Sequence, residues 1–253
     1  MNRRTVLVLS MAAFALAGVR TGAQQSSVDD IIAKNMQAKG GLEKVRSIQS
    51  IKQTSQMSAA GGVQGTLTVY MKRPNLSRQE LNLAAFGTMV TAYDGQTAWT
   101  LNPMMGPAPT ALSGPEAAMM REQADFDGPL IDYKAKGYTA DFVGTESMGD
   151  RKVHHVKLTG KDQRVQHWYL DAETGLEARV VSEAQTPNGK VELEQLLSDF
   201  RDVEGYKAPF LVRTLSNGVE QVKVQVEKVE INARFDDSIF KMAREARDGQ
   251  ERR

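Results

Sequence analysis

The chain has 253 residues, of which 41% are hydrophobic and 25% charged, and it contains no cysteine. Disulfides and lipid attachment through a cysteine are therefore excluded, and the fold must be held by its core alone. Residues 1–23 carry three of the 32 basic residues and no acidic one, which leaves 29 basic against 31 acidic residues beyond them. This near-neutral balance gives no footprint for nucleic acid and no polybasic stretch for anionic lipid.

The first residues have the pattern of a secretory signal peptide. Arg3 and Arg4 precede an apolar run over residues 6–19, and small residues follow up to Ala23. Because a membrane-spanning helix needs roughly 20 apolar residues, the pattern predicts a signal peptide that is cleaved near Ala23 on export. An uncleaved membrane anchor is the alternative. The predicted parts are a signal peptide at 1–23, a single domain at 24–243 and a flexible charged tail at 244–253.

Two helices are predicted at the start of the domain. Ser27 and Asp30 have the spacing of a capping box, and the apolar residues after them recur with the period of a helix. Gly40 and Gly41 end this helix. A second, short helix is expected over 42–46.

From residue 48 the apolar residues alternate with polar ones, which is typical of strands with one apolar face. The clearest strand is 63–72, and Asp94-Gly95 predicts a two-residue hairpin turn. The other strands of this half are predicted from residue 48 and at 76–82, 86–93 and 96–101.

An insertion without strands follows. Three prolines within 102–109 exclude regular structure there. Ser113 and Glu116 have capping-box spacing, with a proline in the first turn, so a helix is predicted after Ser113. Asp127-Gly-Pro129 is predicted to start another helix, which ends at Gly137.

Seven further strands are predicted at 138–146, 152–159, 165–170, 176–184, 191–200, 210–215 and 219–231. In the last strand the apolar residues change parity, which predicts a β-bulge near Glu227 and Lys228. The fold class is therefore mainly β with a helical lid (α+β). We expect an open, incomplete antiparallel β-barrel of about eleven or twelve strands, with short helices over its concave face.

The predicted helices are too short to cover the concave face of so wide a sheet, which must curl. The uncovered apolar wall predicts a ligand cavity, although closure of the barrel or a partner would also cover it. Met104, Met105, Met119 and Met120 cluster in the insertion. Methionine suits surfaces that accept varied apolar shapes, but ordinary core filling explains these residues equally well.

Three motifs, taken in order, resemble the LolA-like family of periplasmic lipoprotein-sorting chaperones. They are Lys-Arg-Pro-Asn-Leu at 72–76, Asp-Gly-Gln-Thr-Ala-Trp at 94–99 and Asn-Pro at 102–103. Their order and spacing match the family over 63–103, and the layout of helices and strands matches over nearly the whole domain. The chain departs from the family at Ser77, near a place where the family often has an aromatic residue.

The resemblance implies a monomeric periplasmic carrier that binds the acyl chains of lipoproteins or lipids in an apolar cavity. It also implies an inner-membrane transporter and an outer-membrane receptor as partners. Arg73 is implied to be the cavity arginine, which holds the lid by hydrogen bonds to backbone carbonyls. A solvated strand end before a turn is the alternative for this residue. The alternative is an envelope-stress or lipid sensor with the same fold. The predicted cavity and lid residues are Arg73, Leu67, Val69, Met71, Phe86, Trp99, Met104, Met105, Met119, Met120, Leu130 and Ile131.

No catalytic, metal or cofactor site is predicted, and the chain is not expected to be an enzyme. The nucleophile elbow, the His-Glu-x-x-His motif and the phosphate-binding loop are absent from the sequence. His155 and His167 could face each other across a hairpin within reach of one metal ion. A third ligand is not evident, so exposed hairpin histidines are the favoured interpretation.

Overall fold

The computed structural model describes residues 27–186 and 189–243. The predicted signal peptide at 1–23 and the predicted tail at 244–253 lie outside these residues. The described strands are β1 (Ser50–Ala59), β2 (Val63–Lys72), β3 (Leu76–Leu83), β4 (Gly87–Tyr93), β5 (Ala98–Leu101), β6 (Thr110–Ala111), β7 (Thr139–Met148), β8 (Arg151–Thr159), β9 (Val165–Asp171), β10 (Glu177–Thr186), β11 (Gly189–Val203), β12 (Tyr206–Ser216) and β13 (Val219–Ile231). The described helices are α1 (Val28–Ala38), α2 (Leu42–Ser47), α3 (Gly114–Gln123) and α4 (Tyr133–Lys136), with short 3-10 helices at Ala60–Gly62 and Asp237–Phe240.

All thirteen described strands form one antiparallel sheet in the order β6-β5-β4-β3-β2-β1-β13-β12-β11-β10-β9-β8-β7. The edge strands β6 and β7 do not pair with each other, so the barrel stays open, and the predicted fold class is confirmed. The strand beyond the predicted eleven or twelve is β6, within the insertion. It pairs with β5 through Trp99 and Ala111 at the edge of the sheet.

The helices pack on one face of the sheet, which we call the inner face. Ile31 of α1 lies against Val156 and Leu170, and Met120 of α3 lies against Tyr93 and Ala98. The Ser27 capping box of α1 forms as predicted, because Ser27 Oγ accepts from the Asp30 backbone N–H and the Asp30 carboxylate accepts from the Ser27 N–H. None of the described helices combines the length and the apolar content that a membrane crossing requires.

The opposite, outer face of β2–β5 is covered by the chain after β13. Phe235 meets the ring of Tyr70 edge-on, with centroids 5.5 Å apart. Trp99 Nε1 donates to the Phe240 carbonyl at 2.7 Å, and Phe240 is fully buried. The outer face of this half of the sheet is thus also packed, against the C-terminal segment. The alternation of apolar and polar residues along the strands did not predict this contact.

Two predicted turns differ in the structure. Asp94 starts a four-residue loop, 94–97, rather than a two-residue hairpin, because its Oδ1 accepts from the backbone N–H groups of Gln96 at 2.9 Å and Thr97 at 2.7 Å. The predicted bulge in β13 is confirmed, since Lys228 pairs with Thr54 while Val226 pairs with Ser55.

The insertion also departs from its prediction. The Ser113 side chain makes no capping hydrogen bond to α3. The helix predicted from Asp127 is a series of turns before the four-residue α4. Gly128 (φ 66°) and Asp132 (φ 53°) are left-handed, a conformation that a right-handed helix cannot contain.

Candidate ligand trough and its helical flap

The inner face of the central strands holds apolar side chains that are only half-buried. Residues in one such row pair directly, from Leu197 on β11 through Val212 and Val224 to Met57, which is buried, and Gly65. On β2 the inner-face residues Leu67, Val69 and Met71 are likewise partly exposed. We call this surface the apolar trough, formed by Leu67, Val69, Met71, Leu197, Val212 and Val224.

The trough also contains two neutral amides that sequence reasoning missed. Gln53 and Gln79 pair with Val69 from either side and therefore share its face. Gln53 Nε2 donates to Ser55 Oγ at 3.1 Å. An amide can hydrogen-bond an ester or amide carbonyl of a ligand without the cost of burying a charge.

Helix α3 connects two distant parts of the sheet. Its apolar side packs on β4 and β5. From the end of the helix, Glu122 accepts from Gln166 Nε2 of β9 at 2.8 Å and pairs with Arg164 at 2.5 Å. The helix therefore spans the gap between the two halves of the open barrel. We call the segment from α3 to α4, residues 114–136, the flap.

A space of about 410 Å³ lies between α3 and the β4–β5 hairpin. Tyr93, Ala98, Leu112 and Ala117 line it, together with Arg121. The flap is thus not packed tightly on this side. Further along the helix Met120 is buried against Tyr93 and Ala98, so the loosely packed part is the first turns of α3.

Arg73 ties the flap to the rest of the fold. Its Nη1 and Nη2 atoms donate to both carboxylate oxygens of Asp127, at 2.7 and 2.6 Å. Nε and Nη2 also donate to the carbonyls of Ile48 at 2.7 Å and Val45 at 3.0 Å. The guanidinium lies 4.6 Å from the centre of the Phe126 ring. Arg73 is therefore not a solvated strand end: it joins β2, the end of α2 and the flap.

The pKa of Asp127 lies below its usual value. The hydrogen bonds from Arg73 are the largest cause, and partial burial opposes them. The carboxylate is thus ionised and paired at neutral pH. Sequence reasoning missed this partner, because the two residues are 54 positions apart and no motif links them.

Other predicted cavity residues lie elsewhere. Trp99 pairs with Ala92, and Ala92 pairs with Arg78, so the three side chains face the same side of the sheet. That side is the outer face, away from the trough, and Trp99 is 4% exposed there. Leu130 and Ile131 belong to the flap, but they are buried against α1 and α2 and do not face the trough. Met120 is buried under α3, whereas Met119 on the same helix is exposed. Phe86, Met104 and Met105 are exposed in turns at one end of the sheet.

His155 and His167, two of the three histidines, form a hydrogen-bonded chain on the outer face. His155 Nδ1 lies 2.7 Å from Glu146 Oε1, and its Nε2 lies 2.8 Å from His167 Nδ1. His155 is 8% exposed and stacks on Tyr169, so the expectation of exposed histidines was wrong for this residue. Its ring nitrogens are occupied by these partners, and the described residues contain no group of three or more side chains placed to hold a metal ion.

Solved structures share this fold at low sequence identity. A LolA superfamily protein from Nitrosomonas europaea matches with a TM-score of 0.57 and 14% identity, over 86% of this chain and 98% of that one. A DUF1329 family protein from Desulfovibrio piger gives 0.61 and 12% over 86% and 98%. A domain named as an outer membrane lipoprotein-sorting protein, from Vibrio parahaemolyticus, gives 0.56 and 11% over 83% and 94%.

No family model matches the chain, and no curated protein matches it by sequence. The structural matches establish the class of fold: the chain has a LolA-like fold, an open antiparallel β-barrel with helices against its inner face.

Proposed function

We propose that this protein is an exported carrier that binds acyl chains of lipoproteins or lipids and moves them across the periplasm. The observation that carries the proposal is the apolar trough, whose side chains face inward yet stay half-exposed, on the same face of the sheet as the flap that Arg73 fastens. Export is supported by the N-terminal sequence pattern, in which a charged start precedes a short apolar run.

Binding would draw its energy from burial of apolar surface. Each buried methylene contributes about 0.8 kcal/mol before the costs of association. The trough offers aliphatic side chains from four strands to such a chain. Gln53 and Gln79 would hydrogen-bond the carbonyl groups where the acyl chain is attached.

The flap would open and close over the trough. Besides the apolar contacts of Met120 and of Leu130 and Ile131, the Arg73–Asp127 pair and the Glu122 contacts attach it to the sheet. The pair and the Glu122 contacts are polar and lie at partly exposed positions, where exchange with water lowers their net strength. We infer that movement is confined to the part near α3, since Leu130 and Ile131 are fixed in the core. A membrane transporter that loads the trough and a receptor that empties it are the partners this mechanism requires.

This role is binding, without a chemical step. The protein purified from envelope extract should carry lipid or acylated peptide that native mass spectrometry detects as added mass. Ligand-free protein that also takes up no fluorescent fatty acid would contradict the proposal. Recovery of a single membrane regulator with no transfer of lipid would instead support a sensor with this fold.

A further inference from the structure

At one end of the sheet, the connections between strands β1 to β6 carry no charged side chain. Antiparallel pairing of β1 to β6 places three connections together at this end: 60–62, 84–86 and 102–109. The segments 53–71, 81–93 and 95–115, which contain these connections, include no Asp, Glu, Lys, Arg or His.

Large apolar side chains project from this end. Phe86 is 48% exposed, Met104 65% and Met105 86%. The methionines are held outward by a tight turn, in which Asn102 accepts from the backbone N–H of Met104 at 3.0 Å and of Met105 at 2.9 Å. We call Phe86, Met104 and Met105 the apolar rim.

The two connections that bear the rim lie against each other. Pro103 lies next to Gly87, since a Cβ added at Gly87 would be 3.5 Å from the proline Cγ. The rim is therefore one patch drawn from two turns. Clustered exposed apolar side chains of this size usually mark an interaction surface.

The chemistry of the rim favours a lipid bilayer over a protein partner. Protein interfaces surround their apolar centre with polar and charged residues, whereas three adjoining connections here carry no charge. Entry into hydrocarbon penalises charge strongly and rewards flexible apolar side chains. Since basic residues are also absent, attraction to anionic lipid does not contribute.

We propose that the apolar rim inserts into the surface of a lipid bilayer and docks the mouth of the trough on it. This inference rests on the proposed carrier function. Strand β3 ends at the rim, and its neighbour β2 starts from the adjoining connection 60–62; they carry Leu81 and Leu67 on the inner face. An acyl chain would therefore pass between bilayer and trough without crossing water.

A single labelled cysteine tests the docking, because the chain has none of its own. Full-length M105C and V143C would each carry a polarity-sensitive fluorophore and be mixed with phosphatidylcholine vesicles. Val143 is the matched control, 54% exposed on β7, the edge strand at the other end of the sheet order. We expect a blue shift at position 105 only, unchanged by added salt or by anionic phosphatidylglycerol. No shift at 105, an equal shift at 143, or a shift that requires anionic lipid would overturn the proposal.

A second variant separates docking from binding. F86S/M104S/M105S should lower the fraction of protein that binds vesicles through the rim at least about tenfold. Uptake of a fluorescent fatty acid in the absence of vesicles should stay at the wild-type level. Insertion at 105 in a protein that takes up no fatty acid would support docking and defeat the carrier function. Uptake without insertion would defeat docking alone.

Discussion

Arg73 meets its partners through four hydrogen bonds, and two of them end on Asp127 in the flap. Arg73→Leu would leave that partly buried carboxylate without its cation. We expect a loss of about 1–3 kcal/mol in the free energy of unfolding, with the fold retained, and faster release of bound fatty acid. Stopped-flow dissociation and chemical denaturation measure the two effects. Unchanged release would show that Arg73 does not hold the flap over a ligand.

The same pair predicts a pH dependence. The lowered pKa of Asp127 means that its contribution to stability is complete above the usual value of 3.8 and is lost as the pH falls through the lower, folded-state pKa. Wild type and Asp127→Asn should therefore differ in melting temperature at pH 7 and converge at acidic pH. A constant difference at every pH would refute the pairing.

His167 should lower stability in the same direction, on acidification, but in a higher pH range than Asp127. Burial, and then the neighbouring His155, lower the pKa of His167 below 6.5. The unfolded chain then binds a proton more readily than the folded one, so stability falls as the pH drops below about 6.5. His167→Asn, which keeps a donor for His155, should flatten the decline between about pH 7 and pH 5. Thermal unfolding of both proteins measures it, and an unaltered slope would contradict this assignment.

Helix α1 is attached to β10 and its turn by polar contacts as well as by its apolar face. Lys39 Nζ lies 2.8 Å from Glu177 Oε1, and Asn35 Nδ2 donates to the Gly175 carbonyl at 2.9 Å. Glu177 is 5% exposed. Lys39→Met would leave the buried carboxylate of Glu177 unpaired and should destabilise the protein by about 3 kcal/mol. In K39M/E177Q, which removes both charges, most of that loss should be restored. A double variant as unstable as the single one would argue against the ion pair.

Helix and strand positions were predictable where one local rule acts alone. The Ser27 cap and the bulge at Glu227 follow from spacing and parity, and both formed. The insertion was less predictable, because left-handed Gly128 and Asp132 override helical spacing. Asp94 shows the same limit, since its side chain organises a longer loop than the Asp-Gly pair indicates.

The open sheet with helices on one face follows from alternation and turn spacing over the whole chain. Which side of the sheet a residue faces does not follow so simply. Trp99 belongs to the outer face because the C-terminal segment covers it there, and nothing in its own strand indicates that cover. Leu67, Val69 and Met71 were placed with the cavity from sequence, and their role in binding a ligand stays a prediction.

The proposed carrier function depends on the inner face of the sheet, where the trough lies, and not on the outer face. Leu67 faces inward, whereas Thr66, its neighbour on β2, faces outward between Gln56 and Asn82. A glutamate at either position adds the same charge to the same strand. Only Leu67→Glu would place that charge in the path of an acyl chain, where its desolvation opposes binding.

The measurement is the affinity for a fluorescent fatty acid of wild type, Leu67→Glu and Thr66→Glu, with circular dichroism to verify that all three fold. We predict at least about a tenfold loss of affinity for Leu67→Glu and an affinity close to wild type for Thr66→Glu. Equal affinities for the two variants, in folded protein, would show that the inner face does not bind the ligand.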